Sequence, residues 1–143
     1  MNKEFVPYEL ALALKELGFV EPCLATFYRK ELSQYPNSRE EETGFNATPF
    51  KLVRNTEVVG LIADTITAPT FSQAFRWFRE KHDLPSEVRF VANLEVYDYR
   101  ITKIGIEYTN AFYEGVRPVS AFSTYEEAEL ACLKKLIEIA KNK

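Results

Sequence analysis

Hydrophobic residues recur along this chain with two periods, and the switches between them mark out the elements. Leu10, Leu14 and Leu17 return at helical spacing, with Lys15 well round the wheel from them. Pro7 suits a first helical position and Gly18 the left-handed residue after a last turn, so a short helix is predicted between them. Leu12 points away from that seam and must be exposed or covered by another element. Pro22 opens an apolar run, "PCLATFY" at 22–28, that reads as a strand. From Arg29 to Phe45 the chain turns polar, which predicts a mobile loop over about 29–45. "FKLVRNTEVVGLIADT", residues 50–65, then reads as two short strands around Asn55 and Thr56.

The next run, "APTFSQAFRWFREKHD" at 68–83, has the clearest apolar face. Thr70 with Gln73 forms a capping-box signature, and Asp83 and Pro85 mark the far end. On a helical wheel Phe71, Ala74, Phe75 and Phe78 fall within roughly 100° of one another, and His82 joins them. Burying each phenylalanine contributes ~1.5–3 kcal/mol, so the three rings are expected in the core. Arg76 and Glu80 point away, and Arg79 flanks the seam. Trp77 sits on the other flank, one turn from Lys81, where a cation could lie over the ring. Trp77, Arg76, Arg79 and Lys81 therefore form a candidate partner-binding surface, since tryptophan and arginine are enriched at binding hot spots.

The period then changes to two. Val88, Phe90, Ala92, Leu94 and Val96 alternate with mostly polar neighbours, which predicts one long strand with an apolar face. Asp98, Tyr99 and Arg100 supply a turn, and Thr102 to Tyr108 the return strand. Residues 109–121 are irregular or hold one more short strand near Val119. The final helix starts at a capping box, Ser123 with Glu126 or Thr124 with Glu127. Tyr125, Ala128, Cys132, Leu136 and Ile139 form one seam, widened by Leu133, Ile137 and Ala140. Leu130 and Ile137 lie roughly 120–140° from the Tyr125 seam. One sheet would hardly cover both sides, so either the first helix or another subunit is expected there. Leu130 and Ile137 are accordingly candidate oligomer contacts. Lys134, Lys141, Glu127 and Glu138 are left for water. The predicted class is α+β: a single domain over residues 1–143, with a mainly antiparallel sheet of about four or five strands and three helices. The predicted order is α-β-β-β-α-β-β-α.

Composition narrows the chemistry. The chain has 143 residues, 46% of them apolar and 14% aromatic, within the range of one globular domain. A net charge of −3 excludes a uniformly basic nucleic-acid coat while allowing a local basic patch. Cys23 and Cys132 lie among apolar residues and are expected as buried free thiols. Glu9, Lys15 and Glu16 interrupt the N-terminal apolar residues, so no signal peptide or spanning helix is expected, and the default address is cytoplasm. Without a secretory signal, Asn46-Ala47-Thr48 is a chance glycosylation match. With one histidine, no CxxC or HExxH and five scattered glycines, no metal site and no cofactor is expected. His82 reads as a packed histidine facing the helix dipole. "REEET" at 39–43 reads as a solvated loop. Glu126, Glu127 and Glu129 suit the start of the last helix. No spacing among these carboxylates singles out an acid–base pair.

Three segments, "FVPYELALALKELGFVEPC" at 5–23, "APTFSQAFRWFREKH" at 68–82 and "TYEEAELACLKKLIEI" at 124–139, resemble a group of small uncharacterised proteins from Bacteroidetes genomes and their phages. The resemblance covers about a third of the chain and every predicted helix. It implies a bacterial or phage-encoded cytoplasmic protein and no particular activity, ligand or catalytic residue. The expected function is that of a non-enzymatic interaction module acting by self-association, as a homodimer, or by binding a protein partner. The alternatives are an accessory protein touching nucleic acid through Arg76, Arg79, Lys81 and Trp77, and an enzyme using carboxylate acid–base chemistry.

Overall fold

The computed structural model describes residues 2–33, 65–103, 106–109 and 121–143. The strand pair expected before residue 65, the 34–45 part of the polar loop, Asn46 and the strand near Val119 lie outside these residues. The class is α+β, with three α-helices and antiparallel strands in two small sheets among the described residues. The chain divides into two compact units, residues 1–70 and 71–143.

In the first unit a 3-10 turn, Asn2–Glu4, precedes α1, Tyr8–Glu16. Pro7 is the residue before the helix, and its carbonyl accepts from Leu10 and Ala11 at 3.0 and 2.9 Å. The helix stops as its glycine predicts. Gly18 has φ +92°, its N–H donates to Lys15, and the Phe19 N–H donates to Leu14. Those two bonds make a Schellman motif, with Leu14 and Phe19 both buried. The buried face of α1 is Ala11, Ala13 and Leu14 rather than the expected leucine seam, and Leu10, Leu12 and Leu17 are half-buried. The Tyr8 ring, on the first turn of this helix, meets Phe27 edge-on at 5.6 Å.

The first sheet has the order β2-β1-β3, with β1 at Ala25–Tyr28, β2 at Glu31–Ser33 and β3 at Thr65–Ala68. Residues 29–33, expected as the start of a loop, instead make a two-residue hairpin turn and β2. Arg29 and Lys30 both have positive φ, +48° and +69°. A type I′ turn demands this, and asparagine and glycine normally supply it. Neither residue is a turn former, so the hairpin carries no local signature. The Arg29 guanidinium lies 5.2 Å from the Tyr28 ring and the Lys30 amine 5.7 Å from the Tyr8 ring, contacts that offset part of the strain.

In the second unit α2 runs Phe71–His82, β4 Ser86–Val91, β5 Val96–Lys103, β6 Ile106–Thr109 and α3 Tyr125–Lys141. The strands pair in the order β4-β5-β6, all antiparallel. The hairpin turn falls at residues 92–95, where Leu94 N–H donates to Val91 and Glu95 has φ +52°. Asp98, Tyr99 and Arg100, expected as the turn, lie inside β5. The even alternation from Val88 to Val96 hides this break because Ala92 and Leu94 continue it through the turn. Cross-strand partners decide the matter: the observed turn sets Val88 against Tyr99 and Arg89 against Asp98.

Thr124 caps α3 by accepting from the Glu127 N–H at 3.2 Å, while Glu127 reaches back to the N–H and hydroxyl of Ser123. The helix is about 25 Å long. It packs on β4 and β5 and also contacts α2, so the element met by its wide apolar arc in this unit is the middle helix. Leu133, Leu136 and Cys132 are fully buried, as are Phe78, Leu84 and Ile101. Lys143 donates to the His82 carbonyl at 2.8 Å and so closes the last turn of α2.

Candidate functional site

The second sheet has two unlike faces, and β-strand alternation distributes its side chains between them. Ser86, Val88 and Phe90 share one face with Ile101, Tyr99 and Tyr97, their direct partners. Cross-strand pairs on this face end in a row of rings. Phe90 and Tyr97 have centroids 5.1 Å apart, and Tyr97 meets Tyr125 edge-on at 6.0 Å. Behind them Phe122 exchanges two backbone bonds with Tyr97 and stacks on Tyr99 at 6.2 Å. The row lies at the hairpin end, where α3 only begins. Phe90 is therefore 56% exposed, Tyr125 45% and Leu94, in the turn, 41%. Partial burial, with Glu129 and Cys132 nearby, pushes the Tyr125 phenol up.

The other face carries a small lattice of charge. Glu87 stands opposite Arg100, and Arg89 opposite Asp98. The Arg89 guanidinium clasps Asp98 through two bonds, Nε–Oδ1 at 3.0 Å and Nη2–Oδ2 at 2.7 Å. Asp98 is fully buried. The Arg100–Glu87 contact is looser, 3.8 Å, between two exposed side chains.

Of the residues singled out on α2, Arg76, Arg79 and Lys81 are exposed and Trp77 is only 4% exposed. The indole meets Phe78 at 5.0 Å and His82 at 4.6 Å, both edge-on. The buried arc thus runs Phe71, Ala74, Trp77 and Phe78, with Phe75 half-buried, so the tryptophan lies inside while Arg76, Arg79 and Lys81 are exposed. A large ring on the flank of a helix gains more from the interior than from water. Burial, then Lys143, lowers the His82 pKa. On α3 Ile137 is 5% exposed and Leu130 half-buried, so the oligomer contact expected there has little surface to offer.

Both cysteines are buried free thiols. Burial pushes Cys23 up to about 11, offset in part by the Thr67 hydroxyl, and Cys132 up to about 12, offset in part by Ser86. Among the described residues no three histidine, cysteine, aspartate or glutamate side chains converge as metal ligands, and no helix is long and apolar enough to cross a membrane.

Reading by pattern put Phe90 on an apolar strand face and Tyr125 on an apolar helix seam, and neither pattern shows their exposure. One signal was present: Asn93 is a turn former, and a turn placed there puts Phe90 near the hairpin tip. No protein-family model matches the chain, and neither the curated proteins nor the solved structures contain a significant match.

Proposed function

We propose that the protein is a non-enzymatic interaction module that acts by associating with a second copy of itself. The supporting observation is the row Phe90, Tyr97 and Tyr125 with Leu94 beside it, apolar surface concentrated at one end of one sheet. Aromatic residues are enriched at the centres of protein interfaces, and covering a ring the size of Phe90 contributes ~1.5–3 kcal/mol. Sedimentation velocity over a wide concentration range tests the reading. The native chain is expected to shift from monomer to dimer, and the double variant Phe90→Ser, Tyr125→Ser to remain monomeric with its circular dichroism intact. A native chain that stays monomeric at every concentration rejects it.

The exposed cations Arg76, Arg79 and Lys81 favour a second reading, contact with nucleic-acid phosphates. A labelled oligonucleotide would then be retarded at low salt and released as salt rises. No retardation at low salt ends that reading.

A further inference from the structure

We propose that two copies join edge to edge along β4, merging their second sheets into one continuous antiparallel sheet. The inference rests on the self-association reading and adds where the contact lies and in what register. β4 ends the order β4-β5-β6, and among the described residues no strand pairs with its outer side. Its sequence, Ser86 to Val91, contains neither the lysine nor the proline that commonly blunts such an edge.

The backbone groups that face outward follow from the ladder. Thr102 N–H donates to the Pro85 carbonyl at 2.9 Å, which makes Pro85 and Thr102 a hydrogen-bonded pair. Such pairs alternate along an antiparallel ladder. Glu87, Arg89 and Val91 therefore turn their backbone groups toward β5, and Ser86, Val88 and Phe90 turn theirs outward. Tyr97 has the parity this requires, since it exchanges both its bonds with Phe122 on the far side of β5.

A twofold axis at Val88 matches this edge to itself. Val88 and the partner's Val88 exchange both backbone bonds, and so do Ser86 and the partner's Phe90. Glu87 then stands opposite the partner's Arg89, and the reverse holds across the axis. These are non-hydrogen-bonded pairs, with Cα atoms about 4.5 Å apart, where facing side chains approach most closely. Acid thus meets base twice. The neighbouring twofold registers fail the same test: an axis at Glu87 sets Glu87 against the partner's Glu87, and an axis at Arg89 sets Arg89 against the partner's Arg89. Like charges directly opposite destabilise a strand pair. Arg89 is already held in a fixed rotamer by Asp98, so little further ordering is needed. Phe90, on the aromatic face, comes opposite a small serine and gains cover for its ring.

Two variants test the contact by sedimentation equilibrium on the full chain. Val88→Pro removes an outward N–H and leaves the ladder to β5 intact, a position where an edge strand tolerates proline. Glu87→Arg sets two arginines against each other across the axis. Each is expected to weaken the dimer about tenfold or more, with the melting transition still cooperative. A dimer of native strength in Glu87→Arg, or in a folded Val88→Pro, overturns the β4 contact while self-association stands. A native chain that is monomeric throughout overturns both.

Discussion

The central strands of the two sheets solve one problem in different ways. β1 and β5 each carry a polar side chain into the interior, paired directly with a residue on the neighbouring strand. In the first sheet the pair is Thr26 opposite Thr67, both buried and neutral. In the second it is Asp98 opposite Arg89, a buried carboxylate clasped by a half-buried guanidinium. Neutral hydroxyls cost less to bury than a charge and hold the strands to one register less strictly. A buried charge is tolerable only with its partner in place, so it ties β4 and β5 to one register. A one-residue slip would carry Asp98 to the opposite face from Arg89. The outer strand β4 of the described sheet therefore has a well-determined alignment.

The sharpest way to break the comparison is Arg89→Ala, which strands the Asp98 carboxylate. A loss of ~3–5 kcal/mol is expected in denaturant unfolding. Replacing both members with apolar side chains, Arg89→Met with Asp98→Leu, should recover most of it. If it recovers nothing, the pair contributes more than mutual compensation. The hairpin turns give the next effect. Lys30→Gly relieves a left-handed lysine and should stabilise the first unit by ~1 kcal/mol, seen as a higher midpoint with an unchanged denaturant slope. A lower midpoint would mean that the Lys30–Tyr8 contact outweighs the strain. Thr26→Val should move stability by less than ~1 kcal/mol in either direction, and a loss on the scale of Arg89→Ala would erase the distinction between the sheets.

The smallest effect is pH-dependent and belongs to the second unit, which holds the chain's one histidine. Burial, then Lys143, lowers the His82 pKa, so the fold favours the neutral ring. Its contribution is complete above the unfolded value near 6.5 and is lost as pH falls below that, through the lower folded value. The melting temperature should drop slightly more between pH 7.5 and 5.5 in the native chain than in His82→Gln. Equal drops would assign the pH dependence to other groups.

Some of this architecture was legible in advance and some was not, for local reasons. α1 and α3 were legible because their ends are written in single residues: Gly18 after the one, Thr124 and Glu127 at the start of the other. Phe71 and Phe78 were legible because three- and four-residue spacing has one physical meaning. The hairpin at Arg29 and Lys30 was not, since the turn uses residues with no preference for it. The turn at 92–95 was hidden by apolar residues that keep the strand period. Of the candidate surface, the sequence showed the rings and charges but neither their exposure nor their alignment.

What the residues alone determined about this protein is its class: the helix faces, the caps and the alternation that makes antiparallel strands. Those depend on neighbours within about four positions along the chain, and so survive in a one-dimensional reading. Tertiary structure decided which flank of α2 turned inward with Trp77, where the second hairpin bent and that Asp98 found Arg89. It also decided that Phe90 ended largely exposed. Each of these is a competition between partners distant in sequence, and only packing the chain reveals which partner wins.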